Sequence, residues 1–253
     1  MAIPTRAAWL RALALERERL ANHLGDLGYL GNDGGFAFGL AQCSRLKEDV
    51  LRTNLGAFGH RLLMDYVVPG GVARDLAPEH AAADRATNAR RWSGRSGCVR
   101  DIYDEHAGLQ DRFRTCGVVT PALAAQLGLT GMAGRASGQA RDLRCDFPVA
   151  PYDSLAVRKS TSLLGDVAAR VAVRFDEALE SLRLIQNIVK AIPVRRDQAA
   201  VPDIPEHKLG LGYVGRLARA GTEWPSRAVP TGPSGVAIRT TRHGPTGRCS
   251  SMR

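Results

Sequence analysis

The fold is decided by the stretch Thr5-Arg-Ala-Ala-Trp-Leu-Arg-Ala-Leu-Ala-Leu-Glu-Arg-Glu-Arg-Leu-Ala-Asn-His-Leu-Gly-Asp-Leu-Gly-Tyr-Leu30. The leucines that recur in it at helical spacing are Leu10, Leu13, Leu20 and Leu24. This periodicity predicts an amphipathic helix over residues 5–30 that buries its leucine face. Thr5 is the predicted N-cap, and the glycines within 31–35 are predicted to end the helix.

Working outward, the same helical periodicity recurs along the chain. Further helices are predicted at 40–66, from Pro78 onward, at 100–114, at 121–127 and at 166–192. The helix at 40–66 is expected to bury Leu62, and residues 129–153 are expected to form an irregular connection. Because no segment alternates apolar and polar residues as a strand series does, the chain is predicted to be mainly α, a helical bundle.

Basic charge is concentrated at the carboxyl-terminal end. The 253 residues carry a net charge of +10, and residues 215–253 contribute +6 of it, with seven Arg, no Lys and one acid. Residues 1–214 therefore carry only +4. The terminal segment is rich in Gly, Pro, Ser and Thr and has too little apolar surface to fold alone. We predict a folded core at 1–214 and a disordered basic tail at 215–253, with no nucleic acid as partner.

Composition also excludes several classes of protein. No apolar run approaches the roughly 18–20 residues that a membrane span needs. The first residues lack the apolar segment of a signal peptide, so export is not expected. The five cysteines form no CxxC pair, which excludes a zinc ribbon and argues against a disulfide scaffold. A cytoplasmic location is expected.

A line of polar residues follows the first helix. Glu16, Arg19 and His23 lie on one side at i, i+3 and i+7, beside the leucine face, and Asp33 continues the line into the glycine break. Ionisable groups at such a boundary can be buried and can carry protons, so Glu16, His23 and Asp33 are candidates for proton transfer. The alternative is that Glu16 and His23 only satisfy buried partners and that Asp33 caps a turn.

A second candidate region is the glycine-rich stretch 131–138. It lacks the Lys-Ser/Thr ending of a phosphate-binding loop, and no predicted strand precedes it. We therefore expect a backbone corner that packs against another subunit or a ligand, with Arg135 and Ser137 as the candidate subunit-facing or cofactor-facing residues.

Collinear motifs give the chain a close resemblance to one family. The motifs are Arg17-Glu-Arg-Leu-Ala-Asn-His-Leu-Gly-Asp-Leu-Gly28, Asn32-Asp-Gly-Gly-Phe-Ala-Phe-Gly-Leu-Ala-Gln42, Ser44-Arg-Leu-Lys-Glu-Asp49, Phe58-Gly-His-Arg61, Val68-Pro-Gly-Gly71, Gly134-Arg-Ala-Ser-Gly138, Pro151-Tyr-Asp153 and Gly165-Asp-Val-Ala-Ala-Arg170. Over about residues 4–214 the chain resembles the large subunit of group 4 nickel–iron hydrogenases such as formate hydrogenlyase. That family is homologous to the subunit designated D in NADH–quinone oxidoreductase, respiratory complex I.

The resemblance implies a helical oxidoreductase subunit, with a bundle of the hydrogenase large-subunit type. It also implies an iron–sulfur small subunit and membrane-arm subunits as partners, and a place on the inner face of the cell membrane. Hydrogenase members hold nickel and iron between two cysteine pairs, whereas complex I members present a quinone pocket.

The chain departs from this pattern because neither cysteine pair is present in it. A nickel site needs these thiolates, so we expect no metal and no other cofactor to be bound by this chain. The resemblance then predicts an internal fragment that is inactive alone. The alternative is a non-catalytic accessory or binding protein that keeps the helical scaffold.

Two segments fit the family poorly. Permitted codons for residues 234–251 and 90–98 allow a shifted frame that reads more like family members, so both segments are hypothesised to be out-of-frame translation. Residues 84–98 are expected to be the least ordered part of the core, since glycines and clustered arginines interrupt any apolar repeat. The tail 215–253 is expected to lack persistent structure.

Overall fold

The computed structural model describes residues 3–83 and 89–193, together with short strands at 226–227 and 237–238; for 81–83 and 89–96 it describes the backbone only. The helices are α1 (Thr5–Asp33), α2 (Ala37–Phe58), α3 (Pro78–Ala83), α4 (Ala89–Glu105), α5 (Ala107–Phe113), α6 (Pro121–Gln126), α7 (Gly131–Ala136), α8 (Leu143–Asp146) and α9 (Val167–Ala191). The strands are β1 (Val67–Val68), β2 (Gly71–Val72), β3 (Ser226–Arg227) and β4 (Ala237–Ile238). The predicted mainly α class is confirmed.

Helix α1 begins at Thr5, one residue earlier than it would if Thr5 were the N-cap. Pro4 is the N-cap residue and Thr5 is already helical, so the prediction that Thr5 caps the helix was wrong. The predicted glycine break is confirmed, since Gly34 is the C-cap and its N–H donates to the carbonyl of Leu30 at 3.0 Å.

Helix α2 is shorter than predicted. It ends at Phe58 because Gly59 adopts φ +81°, the left-handed conformation that commonly ends helices. The chain then turns through Leu63 and Asp65, both at φ +58°. Leu62 is 61% exposed rather than buried. The apolar spacing that continued past residue 58 was therefore misleading.

A two-stranded hairpin follows this turn. Strands β1 and β2 are antiparallel, with Val67 paired to Val72 and Val68 to Gly71. Arg11 of α1 donates from Nε to the carbonyl of Gly71 at 2.9 Å and from Nη2 to that of Val68 at 2.7 Å. These two hydrogen bonds hold the hairpin against the amino-terminal half of α1.

The middle of the chain is more helical than predicted. Residues 89–98 belong to α4; that 84–98 is the least ordered part of the core stays a prediction. The connection 129–153 was expected to be irregular but contains α7 and α8. Residues 84–88 lie outside the described part, as does most of the tail, in which β3 pairs with β4 in antiparallel orientation.

Helix α9 matches its prediction closely. Asp166 is the N-cap, where Oδ1 accepts from the N–H of Ala169 at 2.8 Å and Oδ2 from that of Thr115 at 3.0 Å. The helix stops before Pro193. Helix α6 is also as predicted, with Thr120 as its N-cap.

Helix α1 is the centre of the bundle and packs against α2 on one side and α9 on the other. Tyr103 of α4 is fully buried beneath the α1–α2 turn, where its hydroxyl donates to the carbonyl of Leu27 at 2.8 Å. Gly31 and Gly39 leave room for this ring, since a Cβ on Gly31 would lie 2.2 Å from the Tyr103 oxygen. Among the described helices, none combines the length and the apolar character needed to cross the membrane.

Candidate functional site

Polar side chains line the interface between α1 and α9. The two helices are antiparallel, because Glu16 contacts Ser181, Arg19 contacts Glu177, and Asp26 contacts Arg174. We call these residues, together with His23, Arg135, Asp142, Arg144 and Tyr152, the polar seam. Arg135, Asp142, Arg144 and Tyr152 belong to segment 135–152, which includes α8 and contacts both helices at the seam.

Glu16 is completely buried and has several hydrogen-bond donors. It accepts from Arg144 Nη1 at 2.9 Å, from the Tyr152 hydroxyl at 2.7 Å and from Ser181 Oγ at 2.7 Å. Arg144 also donates to both oxygens of Asp142, at 3.1 and 2.7 Å. Burial opposes the charge of Arg144, but Glu16 and Asp142 together raise its pKa. This end of the seam is an arginine held between two carboxylates.

Glu177 is the centre of the other end of the seam. Its Oε2 lies 3.1 Å from both Arg19 Nη2 and His23 Nε2, and its Oε1 accepts from Arg135 Nε. Burial alone would raise the pKa of Glu177, but the His23 hydrogen bond and the charges of Arg135 and Arg19 lower it well below its usual range. Glu177 is therefore a carboxylate at neutral pH.

His23 is uncharged in this setting. Burial disfavours the imidazolium and lowers the pKa of His23 to about 4, although Glu177 opposes the shift. Because ionised Glu177 can only accept a hydrogen bond, we assign the neutral tautomer with its hydrogen on Nε2. Nε2 lies 3.1 Å from Glu177 Oε2 but is not well aligned with it, and Nδ1 is then a buried acceptor; neither nitrogen has a well-aligned hydrogen-bond partner within the described residues.

The charges of the seam balance. Its carboxylates are Glu16, Asp26, Asp142 and Glu177, and its guanidinium groups are Arg19, Arg135, Arg144 and Arg174. With His23 neutral, four negative groups face four positive groups. Such an arrangement is stable only when complete, because a single buried charge left unpaired costs several kcal/mol.

The predicted candidates separate into two groups. Glu16 and His23 lie inside, as predicted, whereas Asp33 is exposed at the end of α1, so the expectation that it joins the buried line was wrong. Arg135 and Ser137 are both buried; Arg135 turns inward to Glu177, and Ser137 Oγ has no hydrogen-bond partner in the described part of the chain. Proton transfer and cofactor or subunit contact stay predictions for these residues.

Three residues of the seam were not predicted from the sequence: Glu177, Arg144 and Tyr152. One signal was present for Glu177: Arg174, Glu177 and Ser181 have the same i, i+3, i+7 spacing on α9 as Glu16, Arg19 and His23 have on α1. Two such lines on long helices suggest a polar interface between them. Arg144 and Tyr152 had no periodic signal.

The carboxylates and imidazole of the seam are engaged with arginines and hydroxyls rather than grouped as metal ligands. Across the described residues, no three His, Cys, Asp or Glu side chains lie close enough together to hold a metal ion.

Comparison with known proteins places the chain in a family. The family described as "Respiratory-chain NADH dehydrogenase, 49 Kd subunit" matches residues 33–229. The chain belongs to this family. The predicted resemblance to hydrogenase large subunits and their complex I homologue is therefore confirmed, and most of the described fold lies within the matched residues.

Two relatives agree with this assignment. The carbon monoxide-induced hydrogenase of Rhodospirillum rubrum is 31% identical over 210 residues, which cover 81% of this chain and 57% of that protein. The subunit designated D in the NADH-quinone oxidoreductase of Leptothrix cholodnii is 33% identical over 209 residues, covering 73% of this chain and 50% of that protein. The chain thus spans about half the length of these relatives.

A solved structure shares the fold. It is that of the membrane-bound sulfane sulfur reductase, an archaeal respiratory membrane complex. The TM-score is 0.83 at 24% identity, and the match covers 94% of this chain and 66% of the other.

Proposed function

We propose that this chain is the helical core of an oxidoreductase subunit in a membrane-associated complex of the hydrogenase or NADH–quinone oxidoreductase type. The observation that carries the proposal is the family match over residues 33–229. It is supported by relatives named as a hydrogenase and as a subunit of NADH-quinone oxidoreductase. Electron transfer to or from hydrogen or a quinone is the chemistry that these names indicate.

The proposed partners are an iron–sulfur small subunit and membrane-arm subunits, with the chain peripheral on the inner face of the membrane. The redox centre would lie outside this chain, since the cysteine pairs that hold nickel are not in its sequence. Formate hydrogenlyase activity, quinone binding and NAD binding would belong to the assembled complex in this proposal.

The test is purification of the tagged chain from its host under mild detergent. We expect iron–sulfur and membrane subunits to accompany it, together with hydrogen-dependent or quinone-dependent electron transfer. Recovery of the chain alone, with all such activity in other fractions, would favour the accessory protein instead.

For the polar seam, we propose that Glu16 carries protons within the complex. Glu16 contacts two hydroxyl groups, Tyr152 and Ser181, that can accept and donate protons. Glu177 is less suited to this role because three cationic or hydrogen-bonding partners hold it ionised. The balanced charges of the seam support the second candidate, in which the seam only joins α1, α9 and segment 135–152.

Glu16→Gln separates these two roles because it preserves shape while removing titration. A proton carrier predicts a drop in turnover per assembled complex that is much larger than any loss of assembly caused by the missing charge. The matched control is Glu18→Gln, which changes an exposed carboxylate on the same helix. Unchanged turnover in Glu16→Gln, or an equal loss of assembly and turnover, would leave only the structural role.

A further inference from the structure

Three segments at the amino-terminal end of α9 form a continuous hydrogen-bonded unit. Gly165 accepts from the N–H of Val119 at 3.0 Å and donates to the carbonyl of Ala136 at 2.9 Å. Ser162 donates to the carbonyl of Arg135 at 2.9 Å and accepts from the N–H of Gly138 at 2.8 Å. We call residues 117–127, 134–139 and 160–166 the α6 platform.

The α6 platform is tightly built. Gly165 has φ +66°, and a Cβ there would lie 1.9 Å from the carbonyl oxygen of Val119. A Cβ on Gly138 would lie 3.1 Å from Leu163 Cδ2 and 3.3 Å from Pro121 Cβ, so Leu163 lies against the start of α6. The side chains that the platform presents are therefore held in place by its backbone.

Large apolar side chains project from this platform. Leu163 is 73% exposed and Leu164 is 66% exposed. The other large apolar residues exposed on the platform are Val118, Leu123 and Leu127. Single exposed leucines are common, but several on one small, ordered surface mark an interaction site.

Charged side chains beside the platform are mainly basic. Two carboxylates are present: Asp166 is buried as the N-cap of α9, and Asp176, which accepts from Ser160 Oγ at 2.8 Å, is paired with Arg100. Residues 112–141 and 154–165 contain no Asp or Glu at all. Arg114, Arg141 and Arg158 are exposed in these segments. A matching surface would therefore be apolar at its centre and carry carboxylates around it. A second copy of this chain fits poorly, because a two-fold contact would place these arginines against one another.

We propose that the α6 platform is the docking surface for an acidic, apolar segment of another protein subunit. The proposal rests on the proposed function in one respect: a subunit of a complex meets its neighbours through such faces. Leu163 and Leu164 enter the apolar centre of the contact, and the surrounding arginines meet carboxylates of the partner.

The first experiment places a photo-crosslinking amino acid at position 163 of the full chain in its host cell. We expect a crosslink to an acidic, leucine-rich or aromatic-rich peptide of a different chain, identified by mass spectrometry. A crosslink only to a second copy of this chain, or to no protein, overturns the proposal. Flotation of the purified chain with vesicles of anionic phospholipid, abolished by Leu164→Glu, would assign the platform to lipid and also overturn it.

The second experiment uses opposite charges at one exposed position. Both Leu164→Glu and Leu164→Lys lose the apolar contact, but only the glutamate also repels carboxylates, so Leu164→Glu is expected to weaken recovery of the crosslinked partner about tenfold more than Leu164→Lys does, equivalent to about 1.4 kcal/mol. Equal losses in both variants overturn the acidic character of the partner. Because residue 164 is exposed, both variants are expected to keep the melting temperature of the unaltered chain.

These results are separable from the proposed function. A crosslinked partner that is not part of an oxidoreductase complex would support the docking surface while refuting the proposed function. Purification with iron–sulfur and membrane subunits that is insensitive to Leu164→Glu would support the proposed function while refuting the docking surface.

Discussion

Helix α1 has two buried interfaces that differ in chemistry. Against α2 it packs mainly leucines, with one buried hydrogen bond from Arg17 Nε to Asn54 Oδ1 at 2.6 Å. There burial raises the pKa of Cys43 to about 11 because one hydrogen bond with Tyr103 does not offset the loss of water. Against α9 it packs charges, and there the pKa of buried Glu177 falls instead because His23 and arginines surround it. Burial therefore prevails at Cys43 and at His23, whereas at Glu177 several partners together outweigh it.

The two interfaces should respond differently to substitutions that conserve shape. An apolar interface depends on volume, so a side chain of similar size is tolerated. A charged interface depends on complete pairing, so even an isosteric change that removes one charge leaves others uncompensated.

The largest effect is expected from Glu177→Gln. It keeps the volume but leaves Arg19 and Arg135 without their shared carboxylate, and losing one partner of a buried charge pair costs about 3–5 kcal/mol. Urea denaturation followed by circular dichroism measures the free energy of unfolding. Glu18→Gln, on the exposed side of α1, is the control and should change it little. A Glu177→Gln chain as stable as the control would mean that the seam does not hold the helices together.

The next effect concerns the apolar interface at Leu46 of α2, which is 2% exposed. Leu46→Ala should cost about 2–5 kcal/mol through the cavity it creates, whereas Leu46→Met should cost less than about 1.5 kcal/mol. The same denaturation measurement applies. If Leu46→Met were as costly as Glu177→Gln, the contrast between the two interfaces would be lost.

A third prediction uses the pH dependence of stability. The folded-state pKa of His23, about 4, lies below its ordinary value of 6.5, so the unfolded chain binds a proton that the folded chain does not. Stability is therefore full above pH 6.5 and falls as the pH drops toward 4, by about 3 kcal/mol at most.

The stability that ionised Glu177 contributes is lost only below its ordinary pKa of 4.5. Between pH 6.5 and 4.5, any change in stability that comes from the seam is therefore due to His23. His23→Gln should flatten the stability curve in this interval. The control is His80→Gln, which changes a histidine outside the seam. A slope that persists in His23→Gln would assign the effect to other groups.

The smallest effect is expected where α1 turns into α2. Gly31→Ala places a methyl group against the Tyr103 hydroxyl, and such overpacking costs about 1–3 kcal/mol. In a double-mutant cycle with Tyr103→Phe, part of this cost should disappear because the clashing oxygen is gone. Additive losses in the cycle would mean that the turn accommodates the methyl group by another movement.

Several features of the fold were predictable because their signals are local. The leucine spacing of α1 and the cap-to-proline run of α9 each lie within one segment, and both helices were predicted. The end of α2 was missed because its apolar spacing continues beyond Gly59, whose left-handed backbone overrode it. Helices α7 and α8 are too short to show a period at all.

The sequence by itself determined which residues are polar, which are apolar and where the long helices run. It therefore placed Glu16 and His23 beside a buried face, and its motifs predicted the family. Only the tertiary structure decided which charges meet: Arg144 reaches Glu16 across 128 positions of sequence and Ser181 reaches it across 165. Helical spacing specifies the direction of a side chain within its own helix, whereas its partner is selected by packing between distant segments.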